Sequence, residues 1–393
     1  MRSNTKLVPF GKLVRFASGL ADPRQEPWAS MIHVGPENIE PGGNHLVGEL
    51  KTAKDLGLIS GKYQFDADAI VYSKIRPNLN KVCVPRFSGV CSADMYPLWP
   101  DTARVDRDYL CQYMRSPQFV SEAVLSSMRT GMPKINRPDL ERIKIVLPPL
   151  SEQRRIAKTL QTWDEAIEKI GRLTAAKESV RDRLQRAHGA WDRWPLRAIG
   201  EIVSPISRPQ PTPSTAYTAL GIRSHGKGTF QRQIDRPEEI DMDTVYVVGE
   251  RDLIVNITFA WEGAIALAKP EDAGRFVSHR FPTFEIDQKQ VNRNYLGYAV
   301  RSPRFIRDLG IASPGGAGRN RVLNKTDFLK IKIPFPPKDR QDLIAKALDS
   351  ADQEIALLSR QRDALVKQKR GLMQKLLTGE WPVSASKSRE AAE

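Results

Sequence analysis

Cysteine is nearly absent from this chain: Cys83, Cys91 and Cys111 are the three in 393 residues, and they form no CxxC pair. An odd number at wide spacing supports neither a disulfide framework nor a zinc site, and it points to a reducing cytosol. Histidine is scarce as well. His33, His45, His188, His225 and His279 make no HExxH pattern and share no spacing with the cysteines, so no metal site is expected. No apolar run is long enough to cross a bilayer and no secretory signal opens the chain. The expectation is a soluble cytoplasmic protein without membrane attachment.

Catalytic signatures are missing too. Gly221-Ile-Arg-Ser-His-Gly-Lys-Gly imitates a phosphate-binding loop, but Gly228 stands where the Mg²⁺-binding Ser or Thr belongs, and no flanking strand and helix are evident. There is no Asp-Pro-Pro-Tyr-like methyltransferase tetrapeptide, and no GxGxxG follows a strand to open a helix. Clustered carboxylates of the nuclease kind are not recognisable, and Asp66 and Asp68 read as a turn at a strand edge. A non-catalytic chain is expected.

What the sequence has in excess is positive charge. Against 46 Asp and Glu stand 61 Lys and Arg, a net +15 and a pI near 9.7. For a chain of this size that favours a polyanionic partner, most simply nucleic acid. The length predicts two or three domains, and 40% hydrophobic content is enough for real cores.

It also has a repeat. Shifted by 188 positions, the distance from Ile156 to Ile344, Pro148, Pro149, Gln153, Ile156, Ala157, Lys158, Leu160, Asp164 and Ile167 fall on Pro336, Pro337, Gln341, Ile344, Ala345, Lys346, Leu348, Asp352 and Ile355. Each copy reads as a long helix opening after a proline pair, because proline is tolerated at a helix start and costs about 3 kcal/mol inside one. Apolar positions step by four and three: Ile156, Leu160, Trp163, Ile167 and Ile170 in the first copy, and Ile344, Leu348, Ala351, Ile355, Leu358, Leu365, Leu372 and Leu376 in the second. This is a heptad seam, and the copies share its phase. The second copy, Asp339 to Leu377, runs to about 58 Å at 1.5 Å per residue. A stripe that long has to lie against another helix, and the obvious partner is its twin. Thr174, Lys177 and Arg181 interrupt the seam in copy one, and Arg362 and Lys369 in copy two. Charges at seam positions fix register and partner at some cost in stability.

The repeat extends over the segments before the helices. Leu196-Arg-Ala-Ile-Gly-Glu-Ile-Val answers Leu7-Val-Pro-Phe-Gly-Lys-Leu-Val, Arg301-Ser-Pro-Arg-Phe answers Arg115-Ser-Pro-Gln-Phe, and Asn324-Lys-Thr-Asp-Phe answers Asn136-Arg-Pro-Asp-Leu. Between these anchors the halves diverge, with no match for Arg208 to Arg251. A shared framework with differing interiors suggests one architecture presenting two recognition surfaces. In the first half, strands are expected at 69–73, 81–84, 95–99 and 143–147, and helices at 109–115 and 119–128. The expected division is 1–147, a domain; 148–190, a helix; 191–335, a second domain; 336–380, a second helix; and 381–393, a disordered tail.

Pro148-Pro-Leu-Ser-Glu-Gln-Arg-Arg-Ile-Ala, the downstream Leu160, Asp164 and Ile167, and the closing Gln368-Lys-Arg-Gly-Leu-Met-Gln-Lys-Leu-Leu-Thr-Gly resemble the specificity subunit of type I restriction-modification systems. Tyr72-Ser-Lys-Ile-Arg-Pro-Asn-Leu-Asn-Lys and Asn256-Ile-Thr-Phe-Ala-Trp-Glu-Gly-Ala are further echoes, and the likeness spans essentially the full chain. Copy two departs from the pattern with Lys338 and Arg340 where copy one has Leu150 and Glu152. The resemblance implies an α+β chain: two α/β target-recognition domains in tandem, separated and joined by two long helices that pair as an antiparallel coiled coil. It implies a subunit that reads a bipartite site in double-stranded DNA, one domain to each half. The helices would set the spacing and dock two methyltransferase subunits, and restriction subunits would join that assembly. S-adenosylmethionine, ATP and Mg belong to those partners, and no cofactor is expected here. The alternative is a stand-alone DNA-binding or coiled-coil adaptor.

Reading base edges needs Arg, Lys, Asn, Gln, Ser or Thr on loops or helix starts. The candidates are Lys74, Arg76, Asn78, Asn80, Lys81, Arg129, Lys134, Asn136 and Arg137 in the first half. In the second they are Arg223, His225, Lys227, Arg280, Arg319, Asn320, Arg321, Asn324 and Lys325. The Gly-rich segment from Ser313 to Arg321 stands out, because glycines let backbone approach phosphates while arginines reach past them. Its counterpart runs from Arg129 to Asn136. Asn136 and Asn324 fit equally well as turn or capping residues.

Overall fold

The computed structural model describes residues 6–43, 45–127, 132–188, 193–315 and 321–381, the side chains of 187 and 188 excepted. The chain divides into two compact units whose boundaries fall at Gly171/Arg172 and Leu358/Ser359. Both boundaries lie inside long helices, so each unit contains a domain and one segment of each helix.

In the first unit, strand Lys6–Pro9 pairs antiparallel with Lys144–Leu147, tying the start of the domain to its exit. A four-stranded sheet follows in the order Val14–Phe16, Met95–Pro100, Ile70–Ser73, Val82–Cys83, and His33–Val34, Gly89–Cys91 and Tyr63–Phe65 form a three-stranded one. The helices are α1 (Arg107–Met114), α2 (Pro117–Leu125) and α3 (Arg137–Arg142), ahead of α4 (Leu150–His188). Asp106, Ser116 and Asn136 cap the three short helices, each side chain accepting a backbone N–H three residues on. The expected elements are present with shifted ends: the helix foreseen from Tyr109 starts at Arg107, behind its Asp106 cap, and that foreseen to Met128 stops at Leu125.

The second unit repeats this frame. Leu196–Ala198 pairs with Lys332–Pro334, and the four-stranded sheet runs Val203–Ile206, Thr283–Ile286, Leu253–Val255, Ile265–Leu267. Helices α5 (Arg293–Ala299), α6 (Pro303–Ile311) and α7 (Lys325–Lys330) precede α8 (Lys338–Leu377). The second sheet differs, with five strands ordered Pro209–Pro211, Thr244–Val247, Phe276–Val277, Tyr217–Ile222, Thr229–Ile234. The insertion falls in the stretch whose sequence has no counterpart in the first half. Gly221–Gly228, the phosphate-loop mimic, spans the end of one strand of this sheet and a hairpin tip, with no helix behind it.

The glutamine repeated in both long helices docks each helix to its domain. Gln153 Nε2 donates to the carbonyls of Pro148 (2.8 Å) and Arg104 (3.1 Å), and its Oε1 accepts from the N–H of Asp106 (2.8 Å). Gln341 does the same with Pro336 O (2.9 Å) and Asn292 N (2.8 Å). Tyr109 Oη donates to Val146 O, and Tyr295 Oη to Pro334 O, closing the same joint twice. The apolar seam divides its burial. Ile156 and Leu160 belong to the core of the first domain, Ile344 and Leu348 to that of the second, while Trp163, Ile167, Ile170, Ile355, Leu358, Leu365 and Leu372 are half-buried along the helices. Met373, Leu376 and Leu377 return to the first core from the far end of α8.

In each unit the two helical segments run antiparallel. Asp164 meets Lys369 (2.5 Å) in the first, and in the second Lys177 meets Glu354 (2.9 Å) while Arg181 lies 3.5 Å from Asp352. Partner numbers fall as residue numbers rise. Asp164 also receives Arg115 Nη1 (2.9 Å), Arg115 Nη2 (3.1 Å) and Gln112 Nε2 (2.7 Å), so a buried carboxylate faces two cations. Burial pushes that carboxyl up, but the hydrogen bonds and charges of Arg115 and Lys369 hold it well below the usual carboxylate range. Burial, with the neighbouring Arg115, brings Lys369 down to about 8.

Candidate nucleic-acid interface

In the first unit the central strand Ile70–Ser73 runs out into a loop clamped from both sides. Lys74 N donates to Asp94 O (3.0 Å), Ile135 N donates to Lys74 O (2.9 Å), and Arg76 N donates to Pro133 O (2.8 Å). Arg76 and Asn80 are both left-handed, each at φ 48°, flanking a 3-10 turn at Pro77–Leu79. A non-glycine residue there is uncommon and costs on the order of 1 kcal/mol or more. The clamp imposes it, and Arg76 and Asn78 are left exposed. Lys74 lies 5.2 Å from the Tyr96 ring centre, and burial together with the nearby Lys134 charge lowers its pKa. Lys134 reaches Asp94 (3.5 Å), Lys81 Nζ donates to Pro36 O (2.5 Å), and Asn80 Nδ2 donates to Arg115 O (3.1 Å). Arg137 stacks on Phe16 (4.5 Å) and pairs with Glu141 (2.7 Å). The fold thus gathers Lys74, Arg76, Asn78 and Lys134 on two adjoining loops, while Lys81, Asn80 and Arg137 are committed to contacts within the domain.

In the second unit the corresponding strand, Leu253–Val255, runs into the turn 256–263. Leu323 N donates to Ile257 O (2.9 Å), as Ile135 does to Lys74, and Ile257 N donates to Arg280 O (2.9 Å). Onto this turn folds the hairpin tip after Ile222. His225 N donates to Glu262 O (2.7 Å), Gly226 N to Gly263 O (3.0 Å), and Ser224 Oγ to Glu262 Oε2 (2.7 Å). His225 is left-handed at φ 61°. Arg223 donates to Thr229 O (2.7 Å) and lies 5.0 Å from the Phe230 ring, and Arg321 lies 5.6 Å from that of Trp261. Lys227, Arg280, Asn324 and Lys325 are exposed. Arg223, His225, Lys227, Arg280, Arg321 and Asn324, spread over about a hundred positions of sequence, therefore surround one turn.

Asn136 and Asn324 use their Oδ1 atoms as helix caps, for α3 and α7. Arg129, Arg319, Asn320, most of the Gly-rich segment and the tail beyond Trp381 lie outside the described residues. Trp261 and Glu262, which organise the second cluster, were missed as site residues although the echo Asn256–Ala264 contained them. Asp164 and Gln153 were visible only as repeat identities.

Cys83, Cys91 and Cys111 are free and buried; burial pushes the thiols of Cys83 and Cys91 far up and that of Cys111 to about 11, so none supplies a thiolate near neutrality. Among the described residues no group of three or more His, Cys, Asp or Glu is placed to hold a metal ion, and no helix is long and apolar enough to cross a membrane. Asp66 forms the expected turn, its Oδ1 accepting from Asp68 N (3.0 Å). A cleft of about 420 Å³ lined by Arg15, Trp28, Gln64, Asp66 and Trp99 lies towards the far end of Met95–Pro100 from Asp94. Its groups engage one another: Arg15 sits 4.1 Å over Trp99, whose Nε1 donates to Asp66 (2.8 Å).

Comparison with known proteins bears on the same frame. The chain is 35% identical over 170 residues to the type I restriction enzyme EcoDI specificity subunit of Escherichia coli, a match covering 42% of this chain and 37% of that relative. It is 24% identical over 348 residues to the putative type I restriction enzyme MjaX specificity subunit of Methanocaldococcus jannaschii, covering 81% and 79%. In fold it is similar to the type I restriction-modification S subunit from M. genitalium (TM-score 0.59, 14% identity, 95% of this chain and 96% of that one). It is similar too to a chain from a study of complex assembly and conformational transition in the type I R-M system (TM-score 0.58, 18% identity, 97% and 99%). The model of the type I restriction modification DNA specificity domain matches residues 39–178 and 253–368, part of each domain and most of each long helix. With well over half of its length matched, twice over and in the same order as its internal repeat, the chain belongs to the type I restriction-modification DNA specificity family.

Proposed function

We propose that each unit reads one half of a bipartite site in double-stranded DNA and that the chain itself catalyses nothing. The observation that carries this is the duplicated clamp: Lys74 O and Ile257 O each accept from the residue before a capping asparagine, and around each clamp stands a different set of cations and amides. Identical scaffolding holding unlike side chains is what two readers of different base sequences require. The net charge of +15 supplies the phosphate attraction that positions them. The long helices hold the readers at a set spacing and dock two methyltransferase subunits, with restriction subunits joining through that complex. S-adenosylmethionine, ATP and Mg act on those partners, in the cytoplasm.

The test is methylome sequencing of cells carrying the chain and its partner genes, with and without Arg319→Ala combined with Arg321→Ala. The expected result is a two-part methylated motif in which the double variant abolishes recognition of one half and leaves the other legible. Equal loss on both halves contradicts separate readers. A chain that purifies free of any methyltransferase, yet binds DNA alone, favours a stand-alone adaptor.

A further inference from the structure

The ion pairs between the helices are reciprocal. Asp164 of α4 meets Lys369 of α8, and Asp352 of α8 faces Arg181 of α4. Under the 188-position shift of the repeat Asp164 becomes Asp352, and Arg181 becomes Lys369. The same contact therefore recurs in each unit, with the two helices exchanging the acidic and basic roles. Each carboxylate also holds its own domain. Gln112 and Arg115, at the end of α1, bind Asp164, and Tyr298, at the end of α5, has its Oη 2.9 Å from Asp352 Oδ2 and 2.9 Å from Asp349 Oδ1.

The burial of the Asp164–Lys369 pair makes register costly to change, and the half-exposed Asp352–Arg181 pair marks the same register at the other copy. One turn either way from Asp164 stand Leu160 and Ile167, and one turn from Lys369 stand Leu365 and Leu372. A slip by one turn, about 5.4 Å, sets the buried Lys369 ammonium against aliphatic side chains without its counter-ion, while Asp164 keeps Arg115 and Gln112 from its own domain. Along DNA at about 3.4 Å per base pair, the same 5.4 Å corresponds to between one and two base pairs.

We propose that Asp164–Lys369 and Asp352–Arg181 are register pins, positioning residues that decide which gap between half-sites the protein accepts. This rests on the two-reader function above. The experiment measures methylation by the complete assembly on a DNA library holding both half-sites at the native gap and at gaps one and two base pairs shorter or longer. Arg181→Gln with Lys369→Met removes the cation of each pin and keeps the apolar seam and the Lys177–Glu354 pair. The expected result is unchanged half-site bases with at least a tenfold loss of preference for the native gap, and a smaller loss in each single variant. Arg181→Asp should also lose preference, by crowding Asp349 and Asp352, and adding Asp352→Arg should restore it.

Uniformly lower methylation at every gap, or an unaltered gap preference, overturns the pins and leaves the helices with a purely structural role. So does failure of the charge-reversed pair to recover selectivity while Arg181→Gln alone stays folded and unselective no more than the parent. If the parent shows no two-part motif at all, it is the two-reader function that fails.

Discussion

At the scale of single residues, buried polar groups do most of the organising. Asp164 is almost fully enclosed with Arg115, Lys369 and Gln112 around it, so Asp164→Ala leaves two buried cations without a counter-ion. Destabilisation of about 3–5 kcal/mol is expected, read as a shift of the urea midpoint. Lys369 adds a pH dependence. Its pKa of about 8 in the fold lies below the ordinary 10.5, so between those values the folded chain binds fewer protons than the unfolded one and stability rises with pH. Lys369→Met should flatten that slope in denaturation series from pH 7.5 to 10.5. Asp164 works at the other end: its pKa lies below the ordinary 3.8, so its contribution is present above 3.8 and lost as pH falls further. The sequence showed Asp164 and Lys369 as a repeat identity and as a charge interrupting a seam. Their meeting, 205 positions apart, is a product of the fold.

At the scale of elements, helices were more legible than what covers them. The proline pairs and the four-three stepping place α4 and α8 nearly to the residue, because both signals are local. The same stepping shows an apolar face without naming its cover. Ile156 and Leu160 turned out to be buried in a domain core, while Ile167 and Ile355 stay half-buried along the helices. Inserting four residues, about one turn, into both helices should change the gap between half-sites and leave their bases as they were; methylome sequencing reads both. An unchanged gap with altered bases would refute the spacer role. Replacing Gln341 with Ala breaks the joint of α8 to its domain and leaves the Asn292 N–H without its acceptor, at a cost of about 1–3 kcal/mol.

At the scale of the whole molecule, charge and duplication govern. A chain of net +15 that neutralises several phosphates should lose affinity steeply with salt, about a thousandfold or more between 50 and 200 mM if six to ten phosphates are contacted. Binding measured across that range tests it, and a flat dependence argues for a different partner. The second unit carries the plainer evidence of a built surface. The residues around its turn 256–263 come from the hairpin tip, from Arg280 and from the Arg321–Asn324 segment, and no periodicity could have brought those stretches together. The sequence by itself determined the duplication, the frame of each domain, the helices and the family, since these rest on local pattern and on order along the chain. Which loops share a surface, which glutamine locks a joint and which charges pair across the helices were decided by tertiary structure, because a hydrogen bond between distant segments depends on the packing that brings them within 3 Å.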